Sequence, residues 1–319
     1  MKVKAIYVFS ILLFIMLMIT GCGTAKSSPR EKTNEKLTVY TTVYPLKDFT
    51  EKIGAPYVTV ESIYPPNVDE HSFEPSQKDI IEIVEADVFF HIGFGLEGFV
   101  NKTKPILEDE GVVVAAIGEE IHFVEDHVFN ETVGHEKSHE GHEHGTIDPH
   151  VWIDPLYAKQ MAETITEYLS QMLPEHKEHF EANMNDLAQQ FDRLHEQFMQ
   201  ITANAKHDTI IVSHAAFNYW SLRYDLKQLS IAGISPSQEP SQKQLQAIID
   251  EVKSHNLQYI LVEQNVSSRL VDVVAREAGL KSLPIHNLAT LTEEELDRGE
   301  DYFSLMEKNL NTLEKALNE

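Results

Sequence analysis

Histidines are the residues whose number and spacing most clearly indicate chemistry in this chain. The stretch ETVGHEKSHEGHEHGTIDPHVW, residues 131–152, contains five histidines within twenty-two positions. Two more stand in the motifs NVDEHSFEPSQ, around His71, and IIVSHAAFNYW, around His214. Neutral imidazole is a good ligand for zinc, copper, nickel or iron, whereas manganese and magnesium favour more oxygen. The pattern therefore indicates a transition-metal site and leaves open which histidines form it.

Short β-branched or aromatic runs alternate with helix-like segments along the chain. Such alternation predicts parallel sheets covered by helices, and therefore an α/β fold. We expect two lobes, each with a four-stranded parallel sheet. The predicted strands of the first lobe are at 37–44, 57–64, 87–92 and 111–117, and those of the second are at 209–213, 227–231, 259–263 and 282–285.

One long, rigid helix is predicted between the two halves. Its apolar residues follow each other at spacings of three and four, which places them on one face. They are Met184, Leu187, Phe191, Leu194, Phe198 and Ile201. The histidines of this segment, His176, His179 and His195, are interpreted as solvated. The predicted organisation is an N-terminal lobe at 37–173, a linking helix at 174–206 and a C-terminal lobe at 207–319, with a cleft between the lobes.

Three histidines are expected at one end of the two sheets. His71 follows the second predicted strand, His214 follows the fifth, and His150 lies on the connection that leaves the fourth. In open parallel sheets, ligands bind beyond the carboxyl ends of the strands. Three imidazoles with one carboxylate or water form a four-coordinate zinc site, at about 2.0–2.1 Å per nitrogen. The sequence therefore predicts a zinc site between the lobes.

The amino terminus has the composition of an export signal. Two lysines precede an apolar stretch from Ala5 to Ile19, which is shorter than the roughly 20 residues of a spanning helix. Small residues then surround Cys22, the only cysteine of the chain, as in a bacterial lipobox. We expect a signal peptide at 1–21, lipid modification of Cys22 and a flexible tether at 22–36. The protein would be extracytoplasmic and held at the membrane by its lipid alone.

Composition and missing motifs exclude several classes of function. The formal net charge of −25 over 319 residues argues against binding nucleic acid through a basic face. The chain has no GxxxxGK[ST] phosphate loop, and its HExxH match, HEKSH at 135–139, lies in an acidic, glycine-containing stretch and not in a predicted helix. We therefore expect neither an enzyme nor an ATPase. A zinc-dependent hydrolase, and an adhesin or structural lipoprotein that binds zinc, are the alternatives.

Four stretches, DEHSFEPS, IDPHVWIDP, SHAAFNYW and GISPSQEPSQKQL, resemble motifs of zinc-uptake solute-binding lipoproteins. These are the extracytoplasmic receptors of bacterial ABC importers, and the likeness covers essentially the whole mature chain. The resemblance implies that His71, His150 and His214 bind transported zinc, and that the partners are a permease and its ATPase. Related manganese receptors carry a glutamate where this chain has His214. We expect the receptor to be a monomer.

The resemblance offers two positions for the fourth ligand. In many relatives the fourth ligand is an acidic residue of the loop after the last strand of the second lobe. In this chain that loop reads PIHNLATLTEEEL, and the residue at the ligand position is Ala289. Another branch places a glutamate directly before the first ligand histidine, where this chain has Glu70. Glu70, or a water in its place, is therefore the predicted fourth ligand. His286 and Glu293–Glu295 are weaker candidates, and these acids are expected to open the C-terminal helical region.

The remaining histidines of the opening stretch belong to an acidic, glycine-containing insert at 122–147. The resemblance implies that such an insert collects or delivers metal, and alternating imidazoles and carboxylates favour weak auxiliary zinc binding. The alternative is a solvated linker with incidental histidines. The insert's candidate ligands are His135, His139, His142 and His144.

Overall fold

Two four-stranded parallel sheets form the framework of the protein, as the sequence predicts. The computed structural model describes residues 36–124, 147–264 and 269–319. The strands of the first sheet are β1 Leu37–Thr41, β2 Val58–Ser62, β3 Val88–His91 and β4 Val113–Ala116. Those of the second are β5 Thr209–Val212, β6 Lys227–Ser230, β7 Tyr259–Glu263 and β8 Lys281–Ile285. The spatial orders are β2-β1-β3-β4 and β6-β5-β7-β8, so β1, β3, β5 and β7 are central.

Helices cover both sheets. Those before the link are α1 Tyr44–Gly54, α2 Gln77–Val84, α3 Val100–Asp109 and α4 Pro155–Met172. The linking helix is α5 Lys177–Ala203. Those after it are α6 Asn218–Tyr224, α7 Gln242–Ser254, α8 Arg269–Ala278, α9 Glu293–Asp297 and α10 Tyr302–Asn318. Short 3-10 turns occupy Ile117–Glu120, Val151–Ile153 and Pro174–His176.

Local sequence explains where several of these helices begin. Ser76 and Ser241 open α2 and α7 with reciprocal capping hydrogen bonds, in which each serine oxygen accepts from the third helical N–H. Asp154 caps α4, whose first residue is Pro155. The Ser76 cap ends the segment that carries Glu70 and His71, and the Asp154 cap follows the segment that carries His150.

The linking helix packs against both lobes. Its predicted stripe is buried from Met184 to Phe198, and Ile201 is half-buried at the edge of the core. At 27 residues, α5 is about 40 Å long. It contacts α1 and α4 of the N-terminal lobe and α10 of the C-terminal lobe. The predicted fold, two lobes joined by one long helix, is confirmed.

Two of the three histidines of the linking segment are less solvated than predicted. His179 is exposed, whereas His176 and His195 are half-buried. The His176 ring stacks on Tyr57 with 3.5 Å between centroids, and His195 Nδ1 lies 3.1 Å from the Tyr224 hydroxyl. Aromatic neighbours from the two lobes therefore shield these rings.

Several sequence predictions concern residues outside the described ranges. They include the signal peptide, Cys22, all of the tether except Lys36, and the four histidines of the insert. Within the described ranges, no helix combines the length and the apolar character needed to cross a membrane.

Candidate metal centre

The three predicted histidines and Glu70 converge at the carboxyl ends of the two sheets. Each of Glu70, His71, His150 and His214 offers a ligand atom, and these atoms all lie within 4.8 Å of one another. His71 Nε2 lies 3.1 Å from His150 Nε2. The His150 and His214 ring centroids are 5.3 Å apart. Residues from distant parts of the sequence therefore form one compact group.

A buried carboxylate fixes the orientation of His150. Asp148 Oδ1 lies 2.7 Å from His150 Nδ1 and also accepts the His150 backbone N–H at 3.0 Å. The other oxygen, Oδ2, accepts from Asn218 Nδ2 at 2.9 Å, and the Asp148 carbonyl accepts from the Tyr219 hydroxyl at 2.6 Å. Because Nδ1 donates to Asp148, the Nε2 lone pair points toward the other histidines.

His214 is oriented in the same way by a different carboxylate. Glu263 ends β7, the neighbour of β5 in the sheet, and its Oε1 lies 2.6 Å from His214 Nδ1. The Ser213 hydroxyl donates to the same oxygen at 2.5 Å. His214 Nε2 is buried and makes no hydrogen bond to the protein. A buried nitrogen lone pair of this kind calls for a partner, and a metal cation could supply one.

The side-chain hydrogen bonds of His214 also affect its charge. Burial disfavours protonation of this ring, but the Glu263 carboxylate together with Glu70 and Asp148 outweighs burial and raises the pKa of His214. A carboxylate on the far nitrogen makes an imidazole a stronger base toward a metal as well as toward a proton. Protons therefore compete with metal for His214 Nε2.

Glu70 and His71 lie next to each other on the segment between β2 and α2. Glu70 is 5% exposed, and its Oε1 lies 3.8 Å from His71 Nε2 and accepts from Asn287 Nδ2 at 3.0 Å. Burial raises the pKa of Glu70 to about 7. Burial and the neighbouring His150 and His214 lower the pKa of His71 to about 2. His71 is therefore neutral near pH 7, as a metal ligand must be.

The geometry fits zinc. Two nitrogens that bind one tetrahedral zinc at about 2.0–2.1 Å lie roughly 3.4 Å from each other. The 3.1 Å between His71 Nε2 and His150 Nε2 is near that separation. Three imidazoles and one carboxylate match the nitrogen-rich ligand sets that zinc accepts. The described residues can thus supply four ligands to one ion.

Hydrogen bonds across the lobes fix the segment that follows His150. Trp152 Nε1 donates to the Asn287 carbonyl at 2.6 Å, and the Tyr302 hydroxyl donates to the Trp152 carbonyl at 2.8 Å. Trp220 Nε1 donates to the Ile153 carbonyl at 2.7 Å. The loop after β8 and helices α6 and α10 therefore hold the backbone next to His150.

The weaker candidates for the fourth ligand lie outside this group of four. His286 Nε2 lies 3.4 Å from Glu295 Oε2. Glu295 also closes the capping box of α9 with Thr292, as expected for acids at a helix start. Burial opposes ionisation of Glu295, but hydrogen bonds from His286 and Thr292 outweigh it and lower its pKa to about 2. Ala289 is fully buried and has no side-chain donor atom.

The predicted site did not include the residues that orient the ligands. Asp148 lies two residues before His150 in the motif IDPHVWIDP but is not among the predicted site residues. Glu263 is the last residue of a buried strand, where a charged side chain is itself a signal of function. Asn287 had no comparable signal in the sequence.

Comparison with known proteins identifies the family. The model of the family described as ZnuA, zinc-uptake complex component A, periplasmic, matches residues 39–316. The chain belongs to this family. Over 308 residues it is 31% identical to the high-affinity zinc uptake system protein ZnuA of Bacillus subtilis, covering 94% of each chain.

Streptococcal relatives are longer than this chain. The zinc-binding protein AdcA of Streptococcus pyogenes serotype M3 is 36% identical over 288 residues, which are 87% of this chain and 55% of AdcA. The chain therefore spans little more than half of the length of AdcA. The solved structure of the Zn(II)-bound ZnuA-like domain of Streptococcus pneumoniae AdcA matches with a TM-score of 0.73 and 32% identity. It covers 89% of this chain and 100% of that domain.

Proposed function

We propose that this ZnuA-family protein is an extracytoplasmic receptor that captures Zn²⁺ and delivers it to an ABC permease. The convergence of His71, His150, His214 and Glu70 carries this proposal. The zinc-binding and zinc-uptake relatives support it. Zinc is the transported cargo, bound and then released, so the centre acts by binding and not by catalysis.

The arrangement explains how such a centre would take zinc rather than manganese. Three nitrogen ligands favour zinc, whereas manganese prefers sites richer in oxygen. The carboxylates behind His150 and His214 hold their Nε2 lone pairs toward one point. Glu70, the proposed fourth ligand, would supply one negative charge to balance the cation.

Zinc titration in competition with a chromophoric chelator tests this function. The metal-free chain should bind one zinc tightly, and His214→Ala should weaken binding by about a hundredfold or more, given roughly 3 kcal/mol per zinc ligand. His255 is exposed at the end of α7, and His255→Ala serves as the matched control that should retain tight binding. Wild-type protein that binds no zinc, or equal losses in the two variants, would reject the proposal.

The histidine-rich insert is proposed as an auxiliary zinc-binding segment. His135, His139, His142 and His144 would bind zinc weakly and pass it to the main site. Deletion of 134–145 should therefore leave one tight zinc per chain while removing weaker binding from the titration. Loss of the tight zinc in this deletion would instead make the insert the main site.

Partners and location follow from the family and from the amino terminus. A separate permease and its ATPase would receive the zinc, and the receptor would be a monomer anchored through lipid on Cys22. Cys22→Ala should then release a zinc-binding protein from the membrane fraction. Retention of this variant in the membrane after a salt wash would contradict an anchor that depends on Cys22 alone.

A further inference from the structure

The loop between β8 and α9 crosses to the other lobe close to the metal centre. The Ala289 carbonyl accepts from the Tyr44 backbone N–H at 2.8 Å. The Leu291 carbonyl accepts from the Asn67 N–H at 3.2 Å, three residues before Glu70. These contacts place Asn287, the second residue after β8, against the segment that carries Glu70 and His71.

The amide of Asn287 can only donate to Glu70. Asn287 Oδ1 accepts the backbone N–H of Ala289 at 3.0 Å, which fixes the amide orientation. The Nδ2 group therefore faces Glu70 Oε1, at 3.0 Å. Oε1 is also the oxygen that lies 3.8 Å from His71 Nε2, so this hydrogen bond holds the Glu70 carboxylate beside the histidines.

Asn287 also belongs to a rigid part of the C-terminal lobe. Its backbone carbonyl accepts from Trp152 Nε1, two residues after His150. The preceding residue, His286, is held on both sides by buried Asn309, with its N–H and its carbonyl each 2.8 Å from the Asn309 amide. One residue thus connects the segment of His150 to the segment of Glu70 and His71.

We propose that Asn287 is a positioning residue that directs the Glu70 carboxylate to the fourth zinc position and keeps water out of it. This inference rests on the proposed zinc-binding function and deepens it. The loop after β8 supplies no ligand of its own from Ala289. It supplies the hydrogen bond that orients a ligand carried by the other lobe.

A double-mutant cycle on the full chain tests this role, with zinc affinity measured by chelator competition. Removing a hydrogen-bond partner of a metal ligand typically weakens binding about tenfold, and we expect this for Asn287→Ala. The Glu70→Ala variant should bind zinc more weakly by a similar factor and no more, because water can fill the fourth position. Adding Asn287→Ala to Glu70→Ala should then cause no further loss, since Asn287 acts only through Glu70.

The controls separate positioning from general damage to the fold. Asn101 is exposed on α3, and Asn101→Ala should bind zinc like the wild type. Thermal unfolding of the metal-free variants reports folding independently. The visible absorption spectrum of the Co²⁺-loaded protein should change in Asn287→Ala toward the spectrum of Glu70→Ala, because water replaces the carboxylate in both.

The possible outcomes are distinct. Additive losses in the double variant, or an unchanged cobalt spectrum in Asn287→Ala, would overturn the positioning role while tight wild-type zinc binding stands. Wild-type affinity in Asn287→Ala would overturn it as well. Absence of zinc binding by the wild type would instead reject the proposed function itself.

Discussion

The two halves of the metal centre are held in different ways. His150 and His214 are fully buried, and a carboxylate fixes the Nδ1 atom of each. Glu70 and His71 lie on one segment, where Asn287 holds the Glu70 carboxylate and Asp69 accepts the His71 backbone N–H at 3.1 Å. One half is therefore oriented by buried carboxylates, and the other by an amide of the opposite lobe and by a local turn.

The largest expected effect comes from removing an oriented ligand. His150→Ala should weaken zinc binding by about a hundredfold, given roughly 3 kcal/mol per zinc ligand. His71→Ala should weaken zinc binding less, by about tenfold to a hundredfold. His71 is less restrained before zinc binds, so the cost of ordering it already offsets part of the free energy that it contributes. Chelator competition on both variants checks the order. A greater loss of zinc affinity in His71→Ala than in His150→Ala would show that the less restrained half contributes more to binding.

A smaller effect is expected when the carboxylate behind a ligand is neutralised. Glu263→Gln keeps an acceptor near His214 Nδ1 but loses the negative charge, and should weaken zinc binding by about tenfold. Glu277 is exposed on α8, so Glu277→Gln is the matched control. Unchanged zinc affinity in Glu263→Gln would mean that the negative charge of Glu263 does not strengthen His214 as a ligand.

The smallest expected effect on zinc affinity is that of pH. It also distinguishes the ligands that bind a competing proton from the one that does not. The pKa of Glu70 is raised to about 7 and that of His214 is raised, so both bind protons that zinc must displace as the pH falls. The pKa of His71 is about 2, so His71 stays neutral and contributes no such competition. Zinc affinity should therefore fall several-fold on moving from just above pH 7 to just below it.

Titration of a variant assigns this pH dependence. Glu70→Gln removes one competing proton, so its zinc affinity should change less steeply with pH than that of the wild type. An identical pH dependence in the two proteins would show that Glu70 does not exchange a proton for zinc.

The sequence predicted the strands and the position of the three histidines for one physical reason. Buried β-branched runs identify parallel strands, and residues just after such strands meet at the same edge. His71 and His214 could be placed in this way, and His150 by its position on a connection. Their ligand role itself stays a prediction that the zinc titrations test.

The residues that orient the ligands could not be predicted, because their contacts join parts of the chain that are distant in sequence. Glu263 reaches His214 since β7 lies beside β5, and the chain order alone does not give that pairing. Asn287 and Glu70 are 217 residues apart and meet only through the docking of the lobes. Likewise, helical periodicity places His176 on a face of the link but does not reveal that Tyr57 stacks on it.

The wide separation of the site residues has a consequence for how the protein folds. His71 and His150 are 79 residues apart, and His214 and Glu263 are 49 apart. In small zinc domains the ligands are close in sequence and the metal drives folding. Here both contacts close long loops, so we expect the complete site to form only when both sheets and the contact between them are in place. A newly made chain would therefore have to finish folding before it binds zinc tightly, and tight zinc retention would report a correctly assembled molecule.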